Sequence, residues 1–244
     1  MKRIIYMRIC IIAGMIDEKL HSKIAPIQHI PEVTHIDLIR RKSYTGNKIT
    51  CHSPPPMLLK WLPLAELWRL LTLFYVALIK RPSIIVAFGT VPHGVYAWWI
   101  GKLCRIPVIQ HVMGKNDLRL TFPHQRGKAL TLKAVKDSDA VAVRGSQMAE
   151  WLITQGVSPD KLFSPQNVHD FALFRPAPEH RPNFDLIYVG LLAPYKRVDL
   201  LLEAFAISLR QLPQLKLLIV GDGPQRDLLE KQAHDLGIGK SLHF

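Results

Sequence analysis

The chain has 244 residues, 48% of them hydrophobic, which is enough for one large or two modest globular domains with a sizeable core. Its formal net charge of +13 suits nucleic acid, anionic lipid or phosphorylated substrates and does not by itself choose among them. The sequence has no zinc-finger spacing and no RNA-recognition signature, so nucleic acid is not an expected partner. Three widely separated cysteines, Cys10, Cys51 and Cys104, fit neither a disulfide framework nor a zinc site and favour a reducing compartment.

The first strands are predicted close to the N-terminus. Ile9–Ala13 is an apolar run that ends at Gly14, and Val33–Ile39 is predicted to be the second strand. The basic run Arg40-Arg41-Lys42 follows directly. We interpret this run as a solvated loop beside the sheet more readily than as a site, because charge runs usually face water.

The stretch Met57–Lys80 predicts an unusually apolar helix from Pro63 onward. Its residues Leu64–Ile79 are interrupted only by a polar strip with a spacing of three, formed by Glu66, Arg69 and Thr72. Three interpretations remain open: a buried core helix, an interfacial helix that meets anionic headgroups, and a membrane span, although sixteen residues are short for a bilayer.

Strands and helices continue to alternate beyond this helix. Ser83–Phe88 and Pro107–Val112 predict strands, the first followed by the turn-rich segment Gly89–Gly94 and the helix Val95–Cys104. Further helices and a strand are predicted over Gln125–Val135, Ala140–Val143 and Gln147–Gln155. This alternation indicates a doubly wound α/β domain with a parallel sheet, whose sites lie at the carboxyl ends of the strands.

A second β-α-β-α unit is predicted over Phe184–Leu236. Its strands, Phe184–Val189 and Leu215–Val220, both end in glycine, where the backbone must pass close to a ligand or to the following helix. Gly223-Pro224 is expected to open the second helix, since proline suits a first helical position. Arg226 stands where a dinucleotide fingerprint needs its third glycine, which disfavours a dehydrogenase.

Two segments of this unit resemble a known family. YVGLLAPYKRVDLLLEAFA followed by LKLLIVGDGPQRDLLE is similar to the nucleotide-sugar-binding domain of GT-B retaining glycosyltransferases, glycosyltransferase family 4. The resemblance implies two doubly wound, Rossmann-like domains: an acceptor-side domain over residues 1–176 and a partial nucleotide-sugar-binding domain over residues 177–244. It further implies sugar transfer from a nucleotide-diphosphate donor to a glycan, glycolipid or polysaccharide acceptor. Transfer would proceed with retention and without a metal or a cofactor.

The resemblance also assigns candidate donor contacts. Lys196 matches the family's lysine that grips the diphosphate, whereas the arginine of the same segment falls on Leu191. Arg197 occupies a position usually held by glycine. A lysine supplies a point charge and not the bidentate fork of an arginine, so Arg197 would have to compensate. The remaining donor-binding candidates are the strand-end glycines Gly190, Gly221 and Gly223.

The first domain has four candidate residues, two suggested by the resemblance and two by their position at the end of a parallel strand. His111 and Asp117, near the end of the strand Pro107–Val112, are the catalytic candidates, and Asp117 would accept a hydrogen bond from a sugar hydroxyl. An ordinary strand histidine is an equally good interpretation of His111. His93 and Gly94, after the strand Ser83–Phe88, are the acceptor candidates, although they could simply shape the turn.

The resemblance also leads us to expect an incomplete second domain. The family's two donor-binding glutamates, eight positions apart, have no counterpart in these residues, and Leu215–Val220 would keep an uncovered edge. We therefore expect the chain to be inactive alone; the alternative is a non-catalytic remnant or binding module that needs a separate complementing chain. We further expect a cytoplasmic location, peripheral on the inner face of the cell membrane, and a true start at Met7.

Overall fold

The computed structural model describes residues 6–112, 125–165 and 183–244, and the chain divides into two compact units, Met1–Asp170 and Phe171–Phe244. The first unit contains a seven-stranded parallel sheet. Its strands are β1 (Met7–Ala13), β2 (Val33–Ile39), β3 (Ile49–His52), β4 (Ile84–Phe88), β5 (Val108–Val112), β6 (Ala140–Val143) and β7 (Leu162–Phe163). Their order is β3-β2-β1-β4-β5-β6-β7, so the winding reverses between β1 and β4.

Helices cover both faces of this sheet. They are α1 (Asp17–Gln28), α2 (Pro56–Leu59), α3 (Leu62–Tyr75, continued by a π-helical turn at Val76–Lys80), α4 (Val95–Cys104), α5 (Gln125–Asp137) and α6 (Ser146–Thr154). A second π-helical turn, Thr90–Gly94, joins β4 to α4. Alternate residues of β1 enter opposite cores: Ile11 packs with α1, and Ile12 packs with α3 and α4. The predicted doubly wound α/β class is confirmed.

Helix α3 turns its polar strip toward the unit, with Arg69 buried and Glu66 and Thr72 partly exposed, and it exposes much of its apolar surface. Its fully buried residues are Ala65, Arg69 and Leu73, and Leu73 joins the core together with the residues of the following π-helical turn. Leu67 and Leu71 are 50% and 57% exposed. The 19 residues Leu62–Lys80 are long and apolar enough, by length and composition alone, to cross a membrane. In this structure they form one wall of the first unit's core, so the buried interpretation holds for one side of the helix only.

The second unit is a smaller parallel sheet with two helices. Its strands are β8 (Leu186–Val189), β9 (Leu217–Val220) and β10 (Leu242–His243), in the order β10-β9-β8, and its helices are α7 (Val198–Leu209) and α8 (Arg226–Asp235). Each helix buries one apolar side, including Leu202, Phe205 and Leu229, in one core with alternate residues of β9, and leaves Leu200 and Leu228 exposed.

Two expectations for this unit are wrong. The strand that we expected to keep an uncovered edge, β9, is central, because Leu242 pairs with Leu217 on that side. The helix that we expected to open at Gly223-Pro224 begins instead at Arg226. The backbone N–H of Gln225 donates to the carbonyl of Leu192, in the loop after β8, at 3.1 Å. This hydrogen bond keeps the residues before Arg226 in a turn instead of the first turn of the helix.

The orientation of α3 predicts a sharp contrast between two neighbouring leucines. Leu73→Ala should lower the free energy of unfolding by about 2–5 kcal/mol, because it leaves a cavity in the core. Leu71→Ala should change it by no more than about 0.5 kcal/mol. All five tryptophans lie in the first unit, so their fluorescence during urea unfolding reports on that unit alone. Equal effects of the two substitutions would contradict this orientation.

Candidate functional site

The first unit has a cavity of about 340 Å³ at the carboxyl ends of β1 and β4. Open α/β sheets bind ligands at this kind of place, where the winding of the chain reverses. The walls come from the loops after β1 and β2, from α3, and from the π-helical turn after β4. The side chains that give the cavity its chemistry are Arg40, Arg41, Lys42, Glu66, Arg69 and His93.

Arg69 ties α3 to the end of β1. The side chain is 1% exposed; its Nη2 donates to the carbonyl of Ala13 at 2.9 Å, and its Nη1 donates to Glu66 at 3.1 Å. Arg41 donates to the same Glu66 oxygen at 2.5 Å. Burial acts to raise the pKa of Glu66, but the hydrogen bond from Arg41 and the charges of Arg69 and Arg41 outweigh it and lower that pKa. The carboxylate therefore stays ionised between two arginines.

Arg40 is buried, and our interpretation of it as part of a solvated loop is wrong. It is 3% exposed, pairs with Asp17 at 2.5 Å and donates to the carbonyl of Met15 at 3.3 Å. Its guanidinium also lies 5.9 Å from the ring centroid of Tyr44. The side chain points into the unit because Arg40 directly follows the buried end of β2, whereas Arg41 is half-exposed.

His93 lies against the end of β1. Its Nδ1 is 3.1 Å from the carbonyl oxygen of Phe88, so Nδ1 carries the proton and Nε2 keeps a lone pair. A Cβ on Gly14 would come within 2.6 Å of the ring, which leaves room only for glycine there. Burial and the charge of Arg69 lower the pKa of His93 to about 4, against the opposing effect of the Phe88 hydrogen bond. The imidazole is therefore neutral at pH 7.

The other candidates of the first unit lie elsewhere. His111 is 5% exposed and packs 5.5 Å from the Phe88 ring, and burial, with the charges of Lys23 and Arg144, lowers the pKa of His111 to about 4. Gly94 is buried against Gln110, whose Nε2 donates to its carbonyl at 3.1 Å. Neither residue lines the cavity. Asp117 lies outside the described residues. Their catalytic and acceptor roles stay predictions.

In the second unit, the glycines join two strand-end loops. The N–H of Leu192 donates to the carbonyl of Asp222 at 2.9 Å, and the N–H of Gly190 donates to the carbonyl of Val220 at 3.0 Å. A Cβ on Gly221 would overlap the Gly190 carbonyl, and one on Gly223 would overlap that of Leu192. Close packing of the loops therefore requires glycine at both positions, and donor binding by these glycines stays a prediction.

The two basic residues of the loop after β8 differ in whether they form an ion pair. Arg197 has a left-handed backbone (φ 53°) and pairs with Asp199 at 3.0 Å. Lys196 ends the short 3₁₀ turn Pro194–Lys196, with its Nζ 5.6 Å from the ring centroid of Tyr195. Within the described residues, no hydrogen bond or ion pair involves this Nζ. Leu191 is half-exposed. Lys196 is thus the basic side chain of this loop that an anionic ligand could engage without breaking an ion pair.

Sequence reasoning missed the residues that build the cavity. Arg69, Glu66 and Gly14 were not among the candidates, and Arg40 was interpreted as solvated. Two signals could have found them. Glu66 and Arg69 lie one helical turn apart in an otherwise apolar helix, and Arg40 directly follows a buried strand. Both patterns place a charged side chain next to the core, where it is normally paired with an opposite charge or a hydrogen-bond partner.

Two family models match the chain. Residues 40–164, more than half of the chain, match "Glycosyl transferase 4-like domain", and residues 171–244 match "Glycosyl transferases group 1". Among curated proteins, one subunit of the phosphatidylinositol N-acetylglucosaminyltransferase of Arabidopsis thaliana is 30% identical over 114 residues. That match covers 45% of this chain and 25% of that protein, so the chain spans about a quarter of the curated relative.

Solved structures share the fold at low identity. HepE of Anabaena, in a complex with UDP, superposes with a TM-score of 0.72 at 16% identity, covering 98% of this chain and 68% of that one. The apo form of the lipopolysaccharide galactosyltransferase WaaB gives 0.65 at 16% identity, covering 97% and 67%. A UDP-GlcNAc 2-epimerase from Methanocaldococcus jannaschii gives 0.58 at 13% identity, covering 97% and 72%. A galactosyltransferase and an epimerase share this architecture, so the fold alone does not distinguish a transferase from an epimerase.

The two buried neutral histidines predict a pH dependence of stability. Their folded-state pKa values of about 4 lie below the ordinary 6.5, so the unfolded chain binds more protons between these limits. As the pH falls from 6.5 to 4, each histidine should cost the first unit about 1.4 kcal/mol per pH unit. The pKa of Asp37 is about 2, so its own contribution is lost only at lower pH.

Urea unfolding followed by tryptophan fluorescence at pH 7, 6, 5 and 4 measures this slope. His93→Gln should reduce it by about 1.4 kcal/mol per pH unit, and the matched control His29→Gln, at an exposed position, should leave it unchanged. An identical slope in the His93→Gln variant would show that His93 does not titrate in this way.

Proposed function

Because the chain belongs to the glycosyltransferases, with group 1 and 4-like domains, we propose that it serves sugar transfer from a nucleotide-diphosphate donor to a glycan, glycolipid or polysaccharide acceptor. Transfer would retain the anomeric configuration and need no metal or cofactor. Two relatives support the chemistry of the substrates: HepE was solved with UDP, and the name of the Arabidopsis protein specifies N-acetylglucosaminyl transfer and phosphatidylinositol.

The observation that carries the proposal is the position of Lys196. It lies in the loop after β8, which packs against the loop after β9, so it is near the carboxyl ends of two parallel strands. Sugar transfer leaves negative charge on the departing diphosphate, which a positioned cation stabilises. Helix α7 begins two residues further on, at Val198, and its N-terminal N–H groups favour an anion at the same place.

The donor grip of this chain should be weak. Arg197 is engaged by Asp199, and Leu191 replaces the family's arginine, so a single point charge remains. One charged hydrogen bond contributes about 1.5–3 kcal/mol, and a dissociation constant of 1 mM corresponds to about 4.1 kcal/mol. A single such bond supplies less than this free energy, so we expect UDP to bind the chain with a dissociation constant of about 1 mM or weaker.

Two substitutions test this grip in opposite directions. Lys196→Ala should weaken UDP binding about tenfold, and Leu191→Arg, which restores a guanidinium at a half-exposed position, should strengthen it about tenfold. Titration calorimetry on the full chain measures both, with Lys231→Ala, an exposed lysine of α8, as the matched control. Micromolar binding by the unmodified chain that Lys196→Ala abolishes would refute the weak grip, and identical weak binding by all three variants would refute the donor site.

We also propose that the chain contacts an anionic membrane surface from the cytoplasmic side. Exposed apolar residues run along α2, α3 and the following π-helical turn, and they include Trp61, Leu64, Leu67, Leu71 and Leu78. Exposed Lys60, Lys80 and Arg81 lie at the ends of this face. An apolar face with basic ends suits the headgroup region of an anionic bilayer. The same helix supplies Glu66 and Arg69 to the cavity, so a lipid-linked acceptor would be held nearby.

This proposal predicts liposome binding that needs anionic lipid and decreases with salt, because surface charges are screened over about 8–10 Å at physiological ionic strength. In a sedimentation assay, a Leu67→Gln/Leu71→Gln variant should lose at least half of its vesicle binding. A matched Leu200→Gln/Leu228→Gln variant, which changes two exposed leucines of the second unit, should keep it. Equal partitioning into neutral vesicles and at high salt would count against membrane contact.

A further inference from the structure

We infer that the cavity at the carboxyl ends of β1 and β4 is an oxyanion subsite for the acceptor, which takes a phosphate group that lies next to a hydroxyl. The assignment of this subsite to the acceptor rests on the proposed function. The subsite itself is inferred from the charges and the unpartnered atoms of the cavity. A glycerophosphate-type group, either free or as a lipid headgroup, has this chemistry.

The charge balance of the cavity favours an anion. Four basic side chains line it, Arg40, Arg41, Lys42 and Arg69, against the single carboxylate of Glu66. Asp17, outside the lining, pairs with Arg40. Both acids are therefore already engaged by arginines, and positive charge remains in excess. Arginine presents a planar fork of donors that matches phosphate oxygens, which favours phosphate over a smaller monovalent ion.

Three buried polar atoms on these residues lack partners among the described residues. They are Nη1 of Arg40, Nε of Arg69 and Nε2 of His93, on residues that are 3%, 1% and 8% exposed. Buried polar groups are normally hydrogen-bonded, and those that are not call for an explanation. The two guanidinium N–H groups need acceptors, which phosphate oxygens supply.

His93 adds the second requirement. Its Nδ1 donates to the Phe88 carbonyl, so its unpartnered Nε2 can only accept a hydrogen bond. Phosphate oxygens cannot donate when ionised, so the ligand must bring a separate donor, and a hydroxyl beside the phosphate is the simplest. The cavity, at about 340 Å³, is large enough for a small phosphorylated polyol and not merely for a free ion.

A larger basic cavity at the amino-terminal ends of β5 and β6 serves as a control. It measures about 700 Å³ and is lined by Lys102, Arg105 and three further lysines. None of its side-chain atoms is among the buried unpartnered ones of the described residues, apart from the indole nitrogen of Trp98. A general attraction of phosphate to basic surface would therefore act at both cavities, whereas the proposed subsite acts only at the first.

The test is titration calorimetry on the full chain with methyl phosphate, glycerol 3-phosphate and UDP. Arg41→Gln removes a half-exposed arginine and should weaken binding of both simple phosphates at least tenfold without affecting UDP. Arg105→Gln should change none of the three affinities. Glycerol 3-phosphate should bind several-fold more tightly than methyl phosphate, and His93→Phe, which keeps a buried ring but removes Nε2, should abolish that preference.

Equal losses in Arg41→Gln and Arg105→Gln would reduce the effect to general surface charge, and loss of UDP binding in Arg41→Gln would assign the cavity to the donor; either result overturns the inference. A chain that fails to bind UDP but still shows the Arg41- and His93-dependent pattern would refute the proposed donor site and leave the subsite standing. Phosphatidylglycerol vesicles should compete with glycerol 3-phosphate if the subsite reaches a lipid headgroup, and should not if it takes the soluble ester.

Discussion

The two surfaces of the first unit for which we propose functions depend on one interaction, the insertion of Arg69 between α3 and the end of β1. Its guanidinium binds the carbonyl of Ala13 and the carboxylate of Glu66, which turns the polar strip of α3 inward. The cavity gains its charged wall in this way, and Leu67 and Leu71 are left facing outward. A rotation of the helix that buried Leu67 and Leu71 would break the ion pair between Arg69 and Glu66. It would leave an uncompensated buried charge and so destabilise the unit.

In the second unit, the main structural feature is the direct contact between the loops after β8 and β9. Gly221 and Gly223 allow direct backbone contact with the loop after β8, and this contact positions the turn that carries Lys196. Arg197 occupies a position that is usually glycine in the family, and this difference affects which side chain is available to an anion. It has a left-handed backbone and pairs with Asp199, whereas Lys196 forms no ion pair with the described residues.

The fold could be predicted from apolar runs and glycines because both are local signals. The limits of prediction lie with α3. Helical spacing showed that Glu66, Arg69 and Thr72 share a face, but whether that face turns inward depends on the carbonyl of Ala13, 56 positions away from Arg69. The same holds for Arg40, whose partner Asp17 belongs to another element, and for the start of α8, which a hydrogen bond between loops delays.

Taken together, the two proposals give the chain two separate anion sites, one for each substrate. Hydrogen exchange measured by mass spectrometry on the full chain, with saturating UDP and separately with saturating glycerol 3-phosphate, tests this separation. UDP should slow exchange in residues 190–198 and 221–226 alone, and glycerol 3-phosphate should slow it in residues 13–17 and 40–44 alone. Protection of the same peptides by both compounds, or protection by UDP confined to the first unit, would show that the two sites are not separate in this way.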